Sequence, residues 1–287
     1  MTRVASRLTV TGFDGTSLAG YHFDGGTLEP LVLVNAIGPD LSAWRYVIDE
    51  VEPERPVVAW DLRGLHGSGK PASQRVDAAA HCEDAIAVLD ATGAQRFVLA
   101  AWSTGTRIAV ELARTYPERV KALAIVCGGA GRGFRGLFRY LETSPLFPYG
   151  AGLAKHFAGS LQGAFRAFVS RPEIAGVVRQ SGVIGPTADV DGLVAVLQSF
   201  AACDLRQLLT IYEEVAGDSD PSVFAEVQAP CLVVSGRRDR FATQGMVDEM
   251  LTRLPLAEKV VYQKGSHFIP LEYPERLALD MAAHFRP

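Results

Sequence analysis

Apolar and polar positions follow two successive rhythms along the chain. From Arg7 to Thr11 and from Leu18 to Phe23 they alternate on either side of the turn Asp14-Gly15, which predicts an antiparallel hairpin. From Leu31 onward the alternation gives way to unbroken apolar runs: LVLVNA, PVVAWDL, RFVLAAW, VKALAIVC, CLVVSG and KVVYQK. Runs of this kind suit strands covered on both faces, and helix-length amphipathic segments separate them. The repeat predicts an α/β chain with a mostly parallel central sheet flanked by helices. Two of the predicted helices are Ala78 to Ala91 and Thr104 to Tyr116, the second ending before Pro117. Between about Gly128 and Ala229 the rhythm breaks, and helix-like segments with Gly and Pro breaks follow one another without a strand-like run.

The stretch RFVLAAWSTGTRIAVELA carries candidate chemistry. An apolar strand, a tight turn and an amphipathic helix put Ser103 at the apex of a G-x-S-x-G-like turn, here Ala101-Trp102-Ser103-Thr104-Gly105. A helix starting there aims free N–H groups and its positive dipole end at the same place. A serine so placed can attack a carbonyl where donors already point. A serine in a strand–helix turn can equally be a helix cap. Two further runs supply partners. APCLVVSGRRD ends at Asp239 and AEKVVYQKGSH ends at His267, both just past predicted strands, where loops gather at one sheet edge. The order Ser, Asp, His fits a nucleophile, an orienting acid and a base.

Over nearly its whole length the chain resembles the α/β-hydrolase fold enzymes. The resemblance rests on the elbow, on Asn35-Ala36-Ile37-Gly38-Pro39 after LVLV, and on DLRGLHGSGKP from Asp61. APCLVVSGRRDRF and GSHFIPLEYPERL complete it. Asn35 and Ala36 stand where the family usually carries His-Gly, as in the branch of 3-oxoadipate enol-lactonases and related esterases. The resemblance implies catalytic Ser103, Asp239 and His267, and an oxyanion hole of the backbone N–H groups of Ile37 and Thr104. Asn35, Ala36, Trp102 and Phe268 are expected beside the substrate. It also implies a core domain of residues 1–127 and 230–287 and a helical cap, or lid, of residues 128–229. The implied reaction is hydrolysis of a carboxylic ester or lactone through an acyl-enzyme, with no cofactor and no metal. C–C bond hydrolysis, thioesterase or acyltransferase chemistry would use the same triad, and a non-catalytic ligand-binding shell would use the fold alone.

Composition narrows this further. The chain has 287 residues, 48% of them hydrophobic, enough for a large core, and a formal net charge of -4 that predicts no nucleic-acid partner. No apolar run is long enough to span a bilayer, and the first residues lack the apolar core of a signal peptide. Cys82, Cys127, Cys203 and Cys231 show no metal spacing, which suggests a reducing, cytoplasmic setting. Gly131 to Gly136 fits G-x-G-x-x-G but lacks the acidic residue a dinucleotide site needs. Gly64 to Lys70 nearly fits a P-loop but continues into Pro71. His66 reads as a solvated loop residue. The cap region is dense in aromatics, from Phe134 to Phe224, which predicts an apolar pocket roof and a neutral acyl substrate. Its first half is basic (Arg132, Arg135, Arg139, Lys155) and its second acidic (Asp189, Asp191, Asp204). These charges read as solvated helix faces with some cross-pairing, the alternative being a carboxylate-bearing lactone steered by the basic half.

Overall fold

The computed structural model describes residues 5–129, 158–181, 183–185, 187–216 and 220–286. Eight strands form one sheet: β1 (Ser6–Thr11), β2 (Ser17–Phe23), β3 (Leu31–Val34), β4 (Val57–Trp60), β5 (Phe97–Trp102), β6 (Val120–Val126), β7 (Cys231–Gly236) and β8 (Ala257–Tyr262). The helices of the sheet layers are α1 (Arg45–Val51), α2 (Ala78–Ala91) and α3 (Gly105–Thr115). Between β6 and β7 come α4 (Ala158–Val169), α5 (Ile174–Ser181), α6 (Val190–Ala202) and α7 (Leu205–Ala216), and after β7 come α8 (Gln244–Leu251), α9 (Ile269–Glu272) and α10 (Pro274–His284). The described residues of 128–229 contain no strand, and among all described residues no single helix is long and apolar enough to cross a membrane.

The strand order is β1-β2-β4-β3-β5-β6-β7-β8, antiparallel in the first two pairings and parallel in the rest. The expected α/β class with a mostly parallel sheet is therefore present. Alternate residues of each central strand feed two apolar layers. Val32, Val34, Leu99, Ala101, Ile125 and Val233 face one, and Leu31, Leu33, Val98, Ala124, Leu232 and Val234 face the other. Covering both faces is why these strands read as unbroken apolar runs rather than alternating ones. Each fully buried aliphatic side chain contributes about 1.5–3 kcal/mol. The sheet is thus a rigid platform for the loops at its edge.

The order also positions the site. From β3 the chain moves outward to β4, then returns to the other side of β3 as β5. Adjacent parallel strands whose connections leave in opposite directions open a crevice at their carboxyl ends, the usual place for a ligand. The loops there are 35–39 and the turn at Ser103. Helices α6 and α7 lie over that edge: Asp40 N–H donates to Ser199 Oγ at 3.2 Å, and Cys203 Sγ lies 3.3 Å from the Gly38 carbonyl.

The charges of this helical segment pair differently from the sequence expectation. Asp189, which caps α6, meets Arg45 and Tyr46 of α1 rather than a basic residue of its own segment. Arg166 of α4 is spent on the Ala201 carbonyl, 2.7 Å away. The residues Arg132, Arg135, Arg139 and Lys155, the aromatics from Phe134 to Phe157, and the glycines Gly131 to Gly136 lie outside the described residues. Of the later aromatics, Phe224 is fully buried, Phe165 packs edge-on against Phe200, and Phe168 is exposed.

Candidate active site

Ser103 sits between β5 and α3 with a φ of 54°, a left-handed conformation that is rare for a residue with a side chain. Such a conformation costs of order 1–3 kcal/mol and persists only where the surroundings impose it. Here Ser103 N–H donates to the Val126 carbonyl at 2.9 Å, and the Ser103 carbonyl accepts from Thr106 N–H at 3.1 Å. Gly105 permits the turn to close: a Cβ there would come within 2.4 Å of the Asn35 carbonyl oxygen. The alanine in place of the first glycine is accommodated, since Ala101 is fully buried in the β5–β6 ladder, paired with Ile125.

Three side chains from three strand ends meet in one line. His267 Nε2 lies 2.8 Å from Ser103 Oγ, and His267 Nδ1 lies 2.9 Å from Asp239 Oδ2. The other carboxylate oxygen, Oδ1, accepts from the N–H groups of Phe241 and Ala242 at 2.8 and 2.9 Å. Asp239 is thereby fixed as an acceptor toward His267, which selects the tautomer with its proton on Nδ1 and leaves Nε2 free to accept from the serine. The Phe241 ring lies 4.8 Å from the imidazole, centroid to centroid, and helps to exclude water.

The remaining expected residues fall differently. Trp102 is buried, and its indole N–H donates to the His267 carbonyl at 2.9 Å, so it holds the histidine loop. Phe268 packs edge-on against Trp102. Asn35 and Ala36 do not line the cavity at Ser103. The Asn35 amide is spent within its loop, donating to the Pro39 and Asp40 carbonyls and accepting from Ala36 N–H. Ile37 N–H donates at 2.9 Å to Thr104 Oγ1, a hydroxyl that also meets the Tyr212 phenol of α7. One of the two backbone donors expected for an oxyanion is thus capped by a side chain of the elbow itself. His66 is exposed, with Nε2 bonded to the Gly38 carbonyl at 2.7 Å.

Several contributors escape a reading of the sequence. The buried Glu272 accepts from Ser266 N–H at 2.7 Å, from the Ser266 hydroxyl and from Gly185 N–H at 2.6 Å. It ties the loop preceding His267 to the segment before α6. An acidic residue inside the apolar stretch FIPLE was the available signal. Cys127 offers its Sγ beside Asp239 and His267, the ligand atoms of all three lying within 4.8 Å of one another. Burial pushes the Cys127 thiol well above its ordinary pKa, which disfavours the thiolate a metal would need. The cavity at Ser103 is lined by Thr104, Thr106, Arg107, Gly128, Gly129, Phe241, Ala242, Met246 and His267. Arg107 carries no signal in the sequence that separates it from an ordinary solvated helix residue.

Residues 29–274 match the model of the alpha/beta hydrolase fold. A 2-hydroxymuconate semialdehyde hydrolase from Pseudomonas sp. (strain CF600) is 35% identical over 39% of this chain, a match that spans only 40% of that relative. A pimeloyl-[acyl-carrier protein] methyl ester esterase from Neisseria meningitidis is 27% identical over 83% of the chain and 86% of its own length. Among solved structures, an enol-lactonase from Burkholderia xenovorans LB400 superposes with a TM-score of 0.74 at 20% identity, covering 97% of this chain and 99% of that one. With the family model spanning most of its length and its parallel sheet carrying a strained serine at the switch in strand order, the chain belongs to the alpha/beta hydrolase fold family.

Proposed function

We propose that the protein is a serine hydrolase that cleaves a carboxylic ester or lactone through an acyl-enzyme. The hydrogen-bonded line from Ser103 to His267 to Asp239 carries this reading. In the first half-reaction Ser103 Oγ attacks the carbonyl carbon while His267 Nε2 takes its proton. Asp239 holds the imidazole and stabilises the imidazolium. Collapse of the tetrahedral intermediate expels the alcohol, or opens the lactone, with the proton returned by His267. Water then attacks the acyl-enzyme by the same route, releasing the acid and restoring the serine hydroxyl.

The N–H groups of Thr104 and Ile37 serve as oxyanion donors in this scheme. The Thr104 hydroxyl that caps Ile37 N–H gives way by rotating about χ1 as the oxyanion forms. Residues 128–229 act as a cap over the core of residues 1–127 and 230–287, and the contacts of α6 with the loop at Gly38 support that division. Ser103, His267 and Asp239 need no cofactor for any of these steps.

A fluorophosphonate probe should label the wild-type protein at Ser103 and leave Ser103→Ala unlabelled. In a screen across esters, lactones and thioesters, Ser103→Ala and His267→Ala should each lower kcat by roughly 10⁴–10⁶-fold, and the double variant little further, because the groups act as a unit. Near-normal turnover by Ser103→Ala would return Ser103 to a cap residue. Absence of labelling together with absence of turnover would favour a ligand-binding shell.

A further inference from the structure

The cavity that holds Ser103 and His267 is also lined by two polar side chains with atoms left unpartnered among the described residues. Arg107, on the first turn of α3 and four residues past the serine, lines it. Its Nε and Nη1 are shielded from solvent and have no hydrogen-bond partner among the described residues. Thr106 lines the same cavity at 2% exposure, and its Oγ1 is likewise buried and unpartnered among the described residues. Gly128 closes over that hydroxyl so tightly that a Cβ there would come within 2.2 Å of it. Buried polar groups are normally satisfied, and a half-buried cation with two shielded, unpartnered nitrogens calls for an explanation.

The neighbouring charges do not supply one. Burial pushes the Arg107 guanidinium below its ordinary pKa; Glu111 and Asp220 oppose that shift through space and Arg114 adds to it. Glu111 is already held by Arg114 through two bonds of 2.8 and 2.9 Å, and Asp220 caps Ser222. The remaining walls of the cavity include Phe241, Ala242 and Met246, which present apolar groups. A half-buried guanidinium with two shielded, unpartnered nitrogens beside such walls is short of an anion, and an anion bound there would be weakly screened.

We infer that Arg107, with the Thr106 hydroxyl, forms an anion-binding subsite beside Ser103 that receives an ionised acid group on the acyl part of the substrate. The substrate class is then an ester or lactone whose acyl chain carries a second carboxylate a few bonds from the scissile carbonyl. The inference rests on the serine-hydrolase reading for the place of the reacting carbonyl, and on Arg107 and Thr106 for the charge preference. It replaces the neutral acyl substrate that the aromatic density of residues 128–229 suggested. It also moves the source of anion preference from the basic residues of that segment to the elbow helix.

Two matched chromogenic esters test it: 4-nitrophenyl hydrogen glutarate and 4-nitrophenyl valerate, equal in chain length and differing in the terminal carboxylate. Wild-type protein should prefer the glutarate, and Arg107→Met should lower the ratio of the two kcat/KM values by about tenfold or more. Arg107→Lys should keep part of the preference, and Thr106→Val should lower it by a smaller factor. A parallel loss on both esters, or no preference in the wild type, would overturn the subsite. Binding gives an independent readout. Ser103→Ala should bind methyl hydrogen glutarate in calorimetry, and adding Arg107→Met should weaken that binding by a similar factor. Binding that depends on Arg107 without any ester turnover would sink the hydrolase reading and keep the subsite. Turnover and Ser103 labelling without such binding would do the reverse.

Discussion

Two arginines of this molecule, Arg63 fully buried and Arg107 half-buried, are treated in opposite ways. The Arg63 side chain is fully buried and fully answered. Its Nε and Nη2 meet the two oxygens of Asp84 at 2.6 Å each, and its Nη1 meets Asp14 at 3.0 Å and the Arg75 carbonyl at 3.1 Å. Desolvation pulls its pKa down, but the bonds and charges of Asp84 and Asp14 outweigh that and leave it above the ordinary value. For Arg107 desolvation dominates, the through-space charges of Glu111 and Asp220 offset it only in part, and its pKa falls. The first guanidinium ties the β1–β2 turn to α2 and the loop after β4. The second faces the cavity of the candidate active site. A buried charge with all its partners in the chain is strongly coupled to the fold, because removing it strands those partners in the interior.

The comparison breaks most readily at Arg63. Replacing it with Met leaves Asp84 and Asp14 facing each other without a cation, so urea unfolding should show a loss of roughly 3–5 kcal/mol. A loss below about 1 kcal/mol would mean that full pairing is not what distinguishes the two arginines.

A second effect follows from His81, which is fully buried on α2. Burial first, and then the positive charge of Arg63, push its pKa down to about 3 from an ordinary 6.5. Below pH 6.5 the unfolded chain therefore binds a proton that the folded chain refuses. The stability present above that pH should decline as the pH falls toward 3, by up to about 1.4 kcal/mol per unit for this one group. His81→Gln should flatten that part of the stability–pH curve, read by urea unfolding at a series of pH values. An unchanged slope would show that His81 takes up its proton in the folded state.

The smallest effect sharpens the contrast by its sign. Arg107→Met removes a half-buried cation whose shielded Nε and Nη1 have no partner among the described residues to abandon. Its stability should match or exceed the wild type by about 1 kcal/mol, measured by the same unfolding assay, where Arg63→Met falls. A loss comparable to that of Arg63→Met would show that Arg107 is held by structural bonds after all.

The elements of the sheet were legible in the sequence because both-face burial leaves an unmistakable run of apolar residues. LVLV, the VVAW within PVVAWDL, and CLVVSG became β3, β4 and β7, and Ala78 to Ala91 became α2 without a shift at either end. The residues at the candidate site were legible as strand-end positions. Ser103 and Asp239 follow runs that the sheet buries completely and His267 follows the half-buried edge strand β8, and parallel strands bring all three to the same edge. The bonding of Asn35 was not legible, because a short polar side chain after a strand can turn back on its own loop, and here its amide meets the Pro39 and Asp40 carbonyls. Glu272 and Arg107 were hidden by their types. Charged residues on helices and in loops are mostly solvated, and apart from the apolar neighbours of Glu272 nothing local distinguishes these two.

By itself, then, the sequence determined the class of fold, the alternation of its layers and the three residues that close the strand ends, because hydrophobic periodicity and turn chemistry act over a few neighbouring residues. The tertiary structure decided the strand order that opens the crevice between β3 and β5, the capping of Ile37 N–H by Thr104, the tether from Glu272 to the histidine loop, and the full pairing of Arg63 where Nε and Nη1 of the half-buried Arg107 find no partner among the described residues. Those outcomes depend on which partners arrive from distant parts of the chain, and a side chain's burial and charge balance exist only once they have arrived.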